Sequence, residues 1–106
     1  MAVLVFADVP GQTQELYDGM MAKLGPVLEQ AKGFIAHGAG EAGGTWRVFE
    51  VWETHADATK FFATHVHPHL PPGVKPKRTI VPLHTLMLGP LMMLVREPAP
   101  RARRAG

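Results

Sequence analysis

The 106-residue sequence predicts an α+β fold in which two helices cover one face of an antiparallel sheet. Three observations predict it. An apolar run opens the chain, two stretches carry apolar residues three and four apart, and a glycine-rich break separates two strand-like segments between them.

Residues 2–7 (AVLVFA) form the opening run, and Asp8, Pro10 and Gly11 end it, so a buried strand and a turn are expected. A helix over residues 12–24 follows, because Leu16, Met20 and Leu24 recur every four residues with Tyr17 and Met21 beside them. Gly25-Pro26 is expected to break or re-aim it before a polar stop near Lys32-Gly33.

Residues 34–39 and 45–53 read as strands, separated by Gly40, Gly43 and Gly44, which tolerate the positive φ of a hairpin. Alternation places Trp46, Val48, Glu50 and Trp52 on one face of the second strand and Arg47, Phe49, Val51 and Glu53 on the other. Both faces carry large apolar groups. One is expected to meet the helices and the other a partner.

Thr54, with Asp57 three residues on, resembles a capping box for a second helix. Its buried stripe is expected to hold Ala58, Phe61, Phe62, His65, Val66 and His69. Beyond a stiff loop with Pro71, Pro72, Gly73 and Pro76, residues 77–88 read as a strand with an edge or bulge at Pro82. Gly89-Pro90 then turns into LMMLV (91–95), an extra C-terminal strand that needs a protein surface to cover it. The order is the βαββαβ arrangement of ferredoxin-like folds.

One domain over residues 1–95 and a basic flexible tail over 96–106 are expected. Arg96, Arg101, Arg103 and Arg104 against Glu97 give the tail +3, and the net charge of +2 then leaves the remainder at −1. The body carries no basic stripe, so nucleic acid is not an expected partner. The absence of cysteine excludes disulfides, thiol nucleophiles, thiolate-held zinc and iron–sulfur clusters, and is compatible with a reducing cytoplasm. The opening apolar run lacks a basic region and ends too soon for a signal peptide, so a cytoplasmic protein outside the membrane is expected. With no serine, a Ser-His-Asp hydrolase is impossible. No glycine motif opens a helix to cradle phosphate, and no flavin or nicotinamide fingerprint occurs.

Several residues carry possible chemistry. Glu50 shares a face with Trp46, Val48 and Trp52, and serves either as a general base or as a hydrogen-bonding partner for neighbouring elements. His37, on the paired strand, could reach the same cavity, but the open hairpin register leaves its face unassigned. His65 lies on the apolar helix stripe, as a base or a satisfied core histidine. Tyr17 is the donor on the apolar face of the first helix. His65, His67 and His69 do not make a metal site, because residues two apart on a helix point about 160° apart and Pro68 disturbs the next turn.

The segments GFIAH, GGTWRVFEVWET, the FF…H…P-x-L of residues 61–70 and VPLHTL (81–86) together resemble the antibiotic-biosynthesis-monooxygenase-like family of dimeric α+β barrels. The resemblance implies a homodimer joined through the sheet face, often with exchanged C-terminal strands, and a ligand cavity between sheet and helices in each subunit. It also implies that Trp52 is the cavity tryptophan of the third strand and that His84 is the family's strand-four histidine, facing cavity or dimer. Val48 stands where the quinone-forming members carry a polar amide. Phe61 and Pro71 stand near the places of the tryptophan and axial histidine of the heme-degrading branch, so heme cleavage is not expected.

The expectation is a small cofactor-independent enzyme of monooxygenase or cyclase type. Its catalytic candidates are His37, Glu50 and His65. Its binding candidates for an aromatic, polyketide-like ligand are Tyr17, Val48, Trp52, Phe61, Phe62 and His84, with no metal and no cofactor. The alternative is a non-catalytic dimeric module that binds a hydrophobic ligand or supports assembly.

Overall fold

The computed structural model describes residues 1–90. It contains β1 (Val3–Val9), α1 (Gln14–Glu29), β2 (Phe34–Ala42), β3 (Thr45–Trp52), α2 (His55–Phe61) and β4 (Lys77–Pro82). The strands pair antiparallel in the order β2-β3-β1-β4, which is the ferredoxin-like topology expected. The proposed strand at 91–95 and the tail lie outside the described residues.

Both helices begin at a threonine cap, of which Thr54 was expected, and α1 starts two residues after the expected residue 12. Thr13 accepts from the Leu16 amide at 3.1 Å, and Thr54 accepts from the Asp57 amide at 3.0 Å. The expected break at Gly25-Pro26 does not occur, and α1 runs through it to Glu29. Gly25 has no Cβ to crowd the proline ring, and Ala22, whose carbonyl loses its donor, lies on the exposed side where water can replace it.

The β2–β3 hairpin closes with two residues, Gly43 (φ 60°) and Gly44 (φ 81°), the paired positive angles of a type I′ turn. This extends β2 to Ala42, three residues past the predicted end. It also sets the register. Counting back from Ala42 opposite Thr45, His37 falls opposite Glu50 and so on the same face. A bulge between Phe34 and Ala36 absorbs one residue, letting Phe34 face inward opposite Trp52 as well.

The face of β3 with Trp46, Val48, Glu50 and Trp52 meets the helices, as alternation predicts. Trp52 is fully buried, packed with Val3, Val5, Leu28, Ala58 and Phe61. A second cluster joins Ala7, Val9 and Val74 with Trp46, Val48 and Leu70. The opposite sheet face leaves Phe6 and Phe49 45% and 47% exposed.

Two further segments depart from expectation. After Phe61 the helix widens into a π-turn over Phe62–Val66, where the His67 amide reaches back five residues to the Phe62 carbonyl, and then narrows to a 3₁₀ turn at His67–His69. Strand β4 ends at Pro82 rather than residue 88, because proline brings no amide to the ladder.

Candidate active site

A cavity with about 100 Å³ of solvent-accessible space lies between the sheet and the helices. Val5, Ala7 and Val9 of β1 form its floor with His37, Val48, Glu50 and Arg78. Tyr17, Met20, Met21, Leu24 and Leu28 of α1 close one side, and Phe61, Phe62 and Val66 close the other. The lining is almost wholly aliphatic or aromatic, so its few polar groups stand out.

Three of those groups form one chain. The Tyr17 hydroxyl lies 2.6 Å from His37 Nε2, and His37 Nδ1 lies 2.8 Å from Glu50 Oε2. Trp52 Nε1 donates to the other Glu50 oxygen at 2.8 Å. The side chains of His37 and Glu50 are only 14% and 17% exposed. A carboxylate only accepts, so Glu50 fixes the imidazole with its proton on Nδ1, and the free Nε2 pair accepts from Tyr17. This orientation makes Nε2 the basic atom. The Tyr17 ring runs nearly parallel to the imidazole, at 11° and 6.0 Å, and Trp46 backs it at 5.0 Å.

Burial, aided by the negative charges of Glu50 and Asp18, pushes the Tyr17 phenol up to about 12. It is therefore a neutral donor at physiological pH. Because the chain has one tyrosine, tyrosinate absorbance in the near ultraviolet reports Tyr17 alone. The expected midpoint is about 12 in the folded protein against 10.0 for an unperturbed phenol, and a midpoint at the lower value would contradict this environment. The sign for stability follows. Tyr17 holds its proton to higher pH when folded, so its contribution is intact below pH 10.0 and is lost as pH rises toward 12.

Of the residues nominated from sequence, Tyr17, His37, Val48, Glu50, Phe61 and Phe62 come together around the cavity. Trp52 does not line it. The side chain stands behind Glu50, fully buried, and orients the carboxylate instead of touching a ligand. His65 is also elsewhere, since the π-turn carries it to a shallow crevice beside Pro26, Val27, Gln30 and Ala31, with its ring 4.9 Å from that of Phe61. His84 is exposed beyond the end of β4. Among the described residues, no group of three or more histidine, cysteine, aspartate or glutamate side chains is placed to hold a metal.

Arg78 and Gln12 are polar cavity residues that sequence reasoning missed, and Arg78 carries a charge. Its signal was alternation with Ile80 on β4, which puts both on the inner face while Thr79 and Val81 face out. The guanidinium lies 4.0 Å from the center of the Phe62 ring. Burial lowers its proton affinity, opposed by the field of Glu50.

The fold is shared with several solved structures of low sequence identity. SnoaB from Streptomyces nogalater, a cofactor-independent oxygenase crystallized as a variant, superimposes with a TM-score of 0.60 at 13% identity, over 81% of this chain and 95% of that one. A protein of unknown function from Nitrosomonas europaea gives 0.57 at 22% identity, over 83% and 92%. The heme-degrader MhuD from Mycobacterium tuberculosis, with two hemes bound, gives 0.55 at 16% identity, over 84% and 100%. The sequence matches no protein-family model and no curated protein.

Proposed function

We propose that this protein is a cofactor-independent monooxygenase-type enzyme that oxidizes an electron-rich phenol or anthrone of polyketide type. The observation that carries the reading is the Tyr17–His37–Glu50 chain ending in an apolar cavity. Tyr17 touches the substrate and takes its acidic proton while passing its own to His37 Nε2, and Glu50 stabilizes the resulting imidazolium. The substrate anion gives one electron to dioxygen, and the substrate radical and superoxide recombine as a peroxide anion, which takes the proton back from the His37 imidazolium through Tyr17. Loss of water from the resulting hydroperoxide leaves the quinone. Phe61 and Phe62 hold the rings and keep water out. The similarity to SnoaB supports an oxygenase, although Val48 supplies no amide to the intermediate.

Heme fits these residues poorly. Both ring nitrogens of His37 are engaged, and the exposed His69 does not line the cavity. The proposal includes a homodimer through the outer sheet face, which Phe6, Phe49 and Val81 make apolar. The test is oxygen uptake with an anthrone or quinol. Stoichiometric dioxygen consumption with quinone formation is expected, and conversion at the uncatalyzed rate would refute the reading. The apolar lining, with Val48 facing the ligand, favors a second reading as a binding module. Native mass spectrometry showing a retained unmodified ligand, without turnover, would select it.

A further inference from the structure

We propose that the substrate carries a permanent anionic group, a carboxylate or similarly acidic enolate, that pairs with Arg78 at the opposite side of the cavity from His37. The inference rests on the proposed site and names the class of molecule that fills it.

Arg78 is a half-buried cation on an apolar wall. The aromatic face of Phe62 beneath it offers no lone pairs to its five N–H donors. Among the described residues the ion pairs are His37–Glu50 and Arg47–Asp8, and no side-chain hydrogen bond involves Arg78. Among the described residues Glu50 is the sole carboxylate lining the cavity, and its oxygens already serve His37 and Trp52. Buried charges are ordinarily paired, because desolvation is otherwise uncompensated. Among the described residues Arg78 has the field of Glu50 but no paired anion, and the cavity it lines has room for one.

Strand order supplies the spacing. His37 lies on edge strand β2 and Arg78 on edge strand β4, with β3 and β1 between them. Three strand intervals put their backbones about 14 Å apart laterally. Arg78 pairs with Ala7, two residues along β1 from the Val5–Glu50 row that contains His37. Both side chains reach inward from opposite edges. The substrate class that meets both is a fused-ring or two-ring acid, with its acidic hydroxyl or methylene at one end and its anionic substituent at the other.

The probes are 6-hydroxy-2-naphthoate and its neutral carboxamide, titrated calorimetrically into the full chain. The naphthoate is expected to bind about tenfold or more tightly than the amide. Arg78→Gln is expected to abolish that preference, Arg78→Lys to retain part of it, and added salt to weaken it. Equal binding of the two probes, binding of neither, or an undiminished preference in folded Arg78→Gln would overturn the proposal. Should Arg78→Gln fail to fold, the probe pair and salt dependence in the unaltered protein still decide. Because binding is read without turnover, loss of the preference refutes the anion site alone. An absence of oxygen uptake beside an intact preference refutes the oxygenase reading and leaves Arg78 assigned.

Discussion

Replacing His37 with alanine is expected to lower kcat by about 10²–10⁴-fold in the oxygen-uptake assay, the range contributed by a positioned general base. Glu50→Gln is expected to be comparably damaging for a reason specific to this site. Trp52 Nε1 can only donate, so it claims the oxygen of the new amide and leaves the NH₂ facing His37 Nδ1. Nδ1 must then accept, and the imidazole proton moves to Nε2, the atom that should be basic. Nitrogen NMR of His37 reads this directly, with Nε2 changing from unprotonated to protonated. Adding Trp52→Phe removes the constraint, lets the amide turn its oxygen toward His37, and is expected to restore part of the rate. A Glu50→Gln enzyme at full activity, or a double variant no better than the single one, would contradict the assigned relay.

Trp52→Ala is expected to be the most destabilizing single change, costing about 3–5 kcal/mol. The fully buried indole joins Phe34 at 5.5 Å and Phe61 at 5.4 Å, so its removal opens a void at the contact of sheet and second helix. It also strips Glu50 Oε1 of its donor. For a domain of this size, each kcal/mol moves Tm by about 4–8 °C, so a fall of at least about 12 °C is expected by calorimetry. Trp52→Phe retains much of the packing and should fall less. Equal losses in the two variants would show that the hydrogen bond, rather than the filled volume, dominates.

The architecture was legible where periodicity ran uninterrupted. Thr45–Trp52 alternates without a break, and its inner set was assigned correctly from sequence. His37 was ambiguous because Gly40, Gly43 and Gly44 allowed several turn positions. Assigning the two-residue turn to Gly43-Gly44 places it. His65 was drawn toward the cavity by assuming constant helical winding, which the π-turn at Phe62–Val66 interrupts. Arg78 was overlooked because the strand at 77–88 was read for its proline and its alternation was not followed onto the inner face. Trp52 was recognized as important, but the hydrogen bond that places it behind Glu50 depends on rotamers that spacing does not encode.

The type I′ turn does not line the cavity, yet it sets which residue of β2 stands opposite Glu50. Residues 36–42 of β2 are assigned their partners by counting from Gly43 and Gly44. A one-residue insertion carried into that ladder would bring Ala36 or Gly38 opposite Glu50 and turn His37 outward. Surface loops usually absorb changes of length with little consequence. Under the proposed function, loop length here is a constraint on descent, since one codon in the hairpin decides whether the imidazole stands beside Glu50 or on the outer face.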